Sequence, residues 1–81
     1  MERIRQVMAD VMLLDDAERD AIDAHTGMDN FEKWDSLSHI GLITALEERF
    51  AIRMSAGEVV EIQNMGQLLA VLARHGVHIQ P

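Results

Sequence analysis

The chain has 81 residues, no cysteine, and a formal net charge of −7 from 14 acidic and 7 basic side chains. That length allows one small domain, the missing thiol excludes disulfides, thiolate chemistry and cysteine zinc sites, and the acidity makes nucleic acid and anionic membranes poor partners. No apolar run approaches the roughly 18 residues of a membrane span, and Met1-Glu2-Arg3 leads into an amphipathic pattern rather than a secretory signal, so a cytoplasmic monomer is expected.

Ile4, Val7, Met8 and Val11 recur at helical spacing and Leu14 extends the stripe, which predicts helix 1 over about residues 2–14. Residues 15–35 form a long crossover. Asp10 to Asp35 holds nine acids against only Arg19 and Lys33. A structureless stretch of this length is unusual in a compact domain. Asp15 or Asp16 can cap a short helical turn reaching Ile22, and Gly27 breaks it. Ile22, Phe31 and Trp34 are the expected anchors of the crossover.

Helix 2 is expected over about residues 36–50, with Asp35 as N-cap, a role worth about 1 kcal/mol. Steps of 100° per residue put Leu42, Ile43, Leu46 and Phe50 on one side, with His39 at their N-terminal end. The other side carries Ser36, Leu37, Ile40, Gly41, Thr44, Glu47 and Glu48. Ser55 and Glu58 have the spacing of a capping box for a short helix 3 at about residues 56–61. Val59, Val60 and Ile62 give that helix its apolar side. Asn64 caps helix 4, about residues 65–75, with its stripe of Met65, Leu68, Leu69 and Leu72. Gly76 ends it, Val77 folds back, and the tail His78–Pro81 is expected to be loose. The fold class is therefore all-α: a four-helix bundle with three long helices, one short third helix and a long first crossover, in one domain over residues 1–81.

A serine hydrolase needs a general base and an oxyanion hole, but His39 points toward the core and no Gly-x-Ser-x-Gly turn exists. No set of histidines and carboxylates has the spacing of a zinc or calcium site. Ser36 as a modification site is the remaining chemistry. Backbone N–H groups at a helix start suit an anion, Asp35 can offer a carboxylate to a metal ion of a modifying enzyme, and Leu37 and Ile40 give that enzyme an apolar grip. Spacing alone favours a plain first-turn serine.

Asp35-Ser36-Leu37 at the start of the second helix resembles the hallmark of the acyl carrier protein family. Ala45-Leu46-Glu47-Glu48-Arg49-Phe50 is similar to the family's helix 2 ending, and Met54, Ile62 and the helix 4 stripe fall at its core spacings. The likeness covers nearly the whole chain. It implies that Ser36 receives a 4′-phosphopantetheine arm from coenzyme A through a phosphopantetheinyl transferase, and that the arm's thiol carries acyl or aminoacyl groups as thioesters. The protein is then not an enzyme. It presents cargo to loading ligases and to downstream transferases or synthases with basic docking surfaces, through Asp35, Leu37, Ile40, Glu47 and Glu48.

Members of the fatty-acid type usually carry Asp, Thr and Glu where this chain has Ser38, His39 and Gly41. Trp34 replaces their small glycine. The Trp-Asp-Ser-Leu form looks more like dedicated carriers of specialised pathways than like the general fatty-acid carrier. His39 has two readings, the mouth of a cargo pocket or a locally bonded histidine. Gly41 also has two, a close approach by a partner or cargo, or surface drift. Fatty acyl, polyketide, aminoacyl and hydroxyacyl cargoes remain open. The alternative to a carrier is an acidic helical interaction module without a prosthetic group.

Overall fold

The computed structural model describes residues 2–78, so the expected loose tail lies largely outside the described residues. It contains five helices: α1 Glu2–Met12, α2 Asp16–Ala21, α3 Ser36–Phe50, α4 Ala56–Glu61 and α5 Met65–Arg74. Helices 2, 3 and 4 of the sequence reading are α3, α4 and α5. The fifth helix is α2, a short one within the crossover. The all-α class holds, and among the described residues the only β feature is an isolated bridge between Gly27 and Asn64.

One core joins the helices. Ile4, Val7, Met8, Leu42, Leu46, Leu68, Val71 and Leu72 are all essentially inaccessible to solvent, together with Ile22 and Trp34 from the crossover. Each fully buried aliphatic side chain of this kind contributes about 1.5–3 kcal/mol. α1 packs on both α3 and α2. Phe50 stays half-buried, with the Arg3 guanidinium 5.0 Å from its ring centre.

Helix α1 stops at Met12 and not at Leu14. Leu13 takes a left-handed conformation (φ 57°), and the Leu14 N–H turns back to the Ala9 carbonyl at 3.1 Å. This satisfies a carbonyl that the helix end leaves unpaired. It also exposes Leu13 and returns Leu14 to the core. Ala51 (φ 54°) ends α3 the same way, with Ile52 N–H on Glu47 O at 3.1 Å. Gly76 (φ 82°) does so after α5, whose last helical residue is Arg74 rather than His75. Of the three, only Gly76 adopts that backbone without steric cost.

The crossover is built rather than loose. Asp15 caps α2 in a full capping box with Glu18. Lys33 reaches back to Glu18 at 2.8 Å, and Arg5 Nε donates to Ile22 O at 2.8 Å. Further along, the crossover docks on the start of α5. Met65 N–H donates to Thr26 O at 2.8 Å, and Gly66 N–H donates to Ala24 O at 3.0 Å. Met28 N–H donates to Gln63 O at 3.0 Å. The bonds from Met65 and Gly66 satisfy helix-start donors that would otherwise lack partners. Gly27 is required by the close approach: a Cβ there would run into Gln63 O and stand 2.9 Å from Asn64 Cβ.

Candidate functional site

Ser36 is the first residue of α3 and is exposed. Asp35 sets it there. Its extended backbone (φ −101°, ψ −176°) breaks into the helix, and its Oδ1 accepts from Ser38 N–H at 2.8 Å. That backbone N–H, helped by the Ser38 side chain, holds the Asp35 carboxyl below its ordinary value, so it is ionised at neutral pH. Of the N–H donors expected at this helix start, Asp35 occupies that of Ser38. The Ser36 hydroxyl itself has no partner among the described residues.

An open cleft of about 300 Å³ lies beside Ser36. Met28 from the crossover, His39 and Ile40 from α3, and Val59, Val60 and Gln63 from α4 and its exit line it. Leu37, Ile40 and Val60 stand out to solvent around it, at 83%, 58% and 71% exposure. Three exposed aliphatics around one serine form an apolar rim that a protein partner can cover. Leu37 and Ile40 were legible from the wheel. Val60 was not: it was placed on the apolar side of its helix, but Val59 and Ile62 take the inward positions and turn Val60 outward.

His39 is buried, at 6% exposure, and also forms part of the cleft wall. It is the locally bonded histidine of the second expectation, placed on the wall of the cleft beside Ser36. Trp34 Nε1–H donates to its Nδ1 at 3.0 Å, and its Nε2 lies 2.9 Å from Val59 O. Trp34 is fully buried, five residues before His39. No buried side-chain nitrogen or oxygen among the described residues lacks a hydrogen-bond partner.

The remaining residues divide. Glu48 is exposed beside Ala45 and Arg49. Glu47 is half-buried, and its Oε2 accepts from Met54 N–H at 2.7 Å, so its carboxylate also ties the end of α3 to the connection before α4. Gly41 does not face outward with Ser36. It faces α1, where a Cβ would stand 3.2 Å from Val11 Cγ1. The Val11 contact is a constraint on this position from inside the bundle, which the outward placement did not foresee. No group of three or more metal-ligating side chains occurs among the described residues. No helix there is long and apolar enough to cross a membrane.

A family model for the phosphopantetheine attachment site matches residues 2–72. The chain belongs to that family. It is accordingly a non-catalytic carrier of the acyl carrier protein type, and its cofactor is a covalently attached 4′-phosphopantetheine. Among solved structures, the carrier resembles the holo acyl carrier protein of Geobacter metallireducens. The two share 28% identity with a TM-score of 0.75, over 98% of this chain and 92% of the other. No curated protein matches the chain. The residues around the cleft fit such a cofactor. An exposed, unpartnered primary alcohol can form the phosphodiester, and an apolar rim and cleft adjoin it.

Proposed function

We infer that Ser36 is the attachment point of the 4′-phosphopantetheine arm, and that the carrier presents acyl or aminoacyl thioesters to partner enzymes in a specialised biosynthetic pathway rather than in bulk fatty acid synthesis. The observation that carries the attachment is the exposed Ser36 hydroxyl at the first position of α3, behind the ionised N-cap Asp35. In the priming reaction Ser36 Oγ bonds to the β-phosphorus of coenzyme A. The phosphoanhydride bond breaks, adenosine 3′,5′-bisphosphate leaves, and the hydroxyl proton passes to a base of the phosphopantetheinyl transferase. Asp35 stands next to the reacting oxygen as a carboxylate and can meet a divalent cation held by that enzyme. When bound, the arm supplies the thiol that this cysteine-free chain lacks.

Leu37, Ile40 and Val60 form the apolar part of the docking surface, and Glu48 the charged part. Asp35 adds one charge at the helix start, and Glu47 contributes through its remaining oxygen. Partners are the transferase, a loading ligase, and downstream transferases or synthases with basic surfaces. The specialised pathway is supported by Ser38 at the helix start, where the fatty-acid type usually has Asp, and by Trp34, which pairs with His39 where that type usually has Thr. Specificity is a difference of affinities, so a helix start with fewer acids selects other partners. We place the protein in the cytoplasm as a monomer.

Incubation with coenzyme A and a broad-range transferase, followed by intact mass measurement, tests the attachment. The expected result is one phosphopantetheine mass on the native chain and none on Ser36→Ala. A gain that persists in Ser36→Ala would overturn the assignment.

A further inference from the structure

We propose that His39 is a positioning residue: it caps the C-terminal end of α4 from across the cleft, and Trp34 fixes the tautomer in which it does so. The hydrogen-bond chemistry leaves one arrangement. An indole N–H only donates and a backbone carbonyl only accepts. Nδ1 of His39 therefore accepts from Trp34 and Nε2–H donates to Val59 O, at 3.0 and 2.9 Å. The ring protonated at Nδ1 would set one N–H against another.

Val59 O belongs to the last turn of α4, whose carbonyls have no partner within the helix. Gln63 N–H, the donor that a longer helix would offer it, goes instead to Gln67 Oε1 at 2.8 Å. His39 fills that vacancy from α3. α4 is also held by the end of α5 and its C-cap, through Glu61 with Arg74 and Glu58 with His75 at 3.0 Å. Among the described residues, His39 makes the hydrogen bond that joins α3 to α4. It thereby fixes the separation of α3 and α4 where Ile40 and Val60, two exposed aliphatics, line the cleft beside Ser36.

A packing role and a capping role differ in which substitution they tolerate. Gln offers an acceptor and a donor on neighbouring atoms, as neutral imidazole does; Phe fills the space and offers neither. Hydrogen exchange on the unmodified protein reads the cap without reference to the arm. His39→Phe is expected to raise exchange of the α4 amides by about ten-fold, the loss of one buried hydrogen bond, with α1 and α5 unchanged. His39→Gln is expected to stay within about two-fold of native on the same scale. Equal protection in Phe and native, or equal loss in Gln and Phe, overturns the proposal. Should His39→Phe fail to fold, the imidazole 15N shifts of the native protein decide: Nε2–H is expected, and a ring protonated at Nδ1 overturns it.

The consequence for priming rests on the Ser36 reading. With the transferase, His39→Phe is expected to raise KM for the apo-protein by about ten-fold at nearly unchanged kcat, and His39→Gln to restore it. Failure of the Ser36 reading would appear as mass gain in Ser36→Ala and would leave the exchange and tautomer results intact.

Discussion

Gly41 of α3 faces Val11 of α1, and a Cβ on Gly41 would stand 3.2 Å from Val11 Cγ1. Two effects therefore oppose each other in Gly41→Ala. Helix propensity favours alanine by about 1 kcal/mol, while the contact forces Val11 to give by a few tenths of an ångström. Gly41→Ala is expected to gain less than that amount in the native background and the full amount in Val11→Ala. Urea midpoints of the four proteins in a double-mutant cycle measure the difference. Equal gains in both backgrounds would show that the two residues do not meet.

The rim around Ser36 makes a second expectation. Leu37→Asp, Ile40→Asp and Val60→Asp each place a charge on an exposed site, so the fold should survive. Each should lower kcat/KM for the transferase by about ten-fold, equivalent to about 1.4 kcal/mol of lost docking. Far-UV circular dichroism and initial rates check both halves. Loss of helicity in any of the three would mean that its side chain is not where the structure puts it.

Much of the architecture was readable because its causes are local. The stripes of α1, α3 and α5 lie within single helices. So do the caps at Asp15, Asp35, Ser55 and Asn64, each of which accepts from a backbone N–H three residues on. The residues that were read differently answer to distant partners. Gly41 answers to Val11, and Glu47 carries a backbone N–H of Met54. The end of α1 was hidden for another reason: Leu13, like Ala51 after the correctly read end of α3, occupies a left-handed position where sequence rules look for glycine.

Those two positions give a third prediction. A left-handed non-glycine residue costs roughly 1–2 kcal/mol, partly offset by glycine's greater freedom when unfolded. Leu13 is 83% exposed, so its side chain contributes little burial. Leu13→Gly and Ala51→Gly are each expected to stabilise by about 0.5–1 kcal/mol. For a domain of this size that corresponds to a rise in Tm of about 2–8 °C per substitution. A fall in Tm for both would mean that neither backbone is left-handed in solution.

Stability should also depend on acid. The Ser55 backbone N–H and then His75 hold Glu58 below its ordinary 4.5, and Ser38 holds Asp35 below 3.8. The unfolded chain therefore binds protons at higher pH than the folded one at both sites. Their stabilisation is full above those ordinary values and is lost as pH falls through the depressed folded ones. Urea midpoints should hold between pH 7 and about pH 5 for these two groups and then drop toward pH 3. Glu58→Gln should make the drop shallower, and a slope identical to native would argue against the Glu58 contribution.

The docking of the crossover on α5 also bears on when the protein can be primed. Thr26 and Ala24 receive their N–H donors from Met65 and Gly66, and Gly27 pairs with Asn64. A ribosome has already made Ser36, Asp35 and all of α3 before it reaches those donors. Until they emerge, Ala24, Thr26 and Gly27 lack these partners, and α4 has no α5 beside it. Chains stalled before Asn64 are expected to be poor transferase substrates, which ribosome-bound chains of graded length can measure. That outcome would mean, on the Ser36 reading, that the order of synthesis favours finished copies.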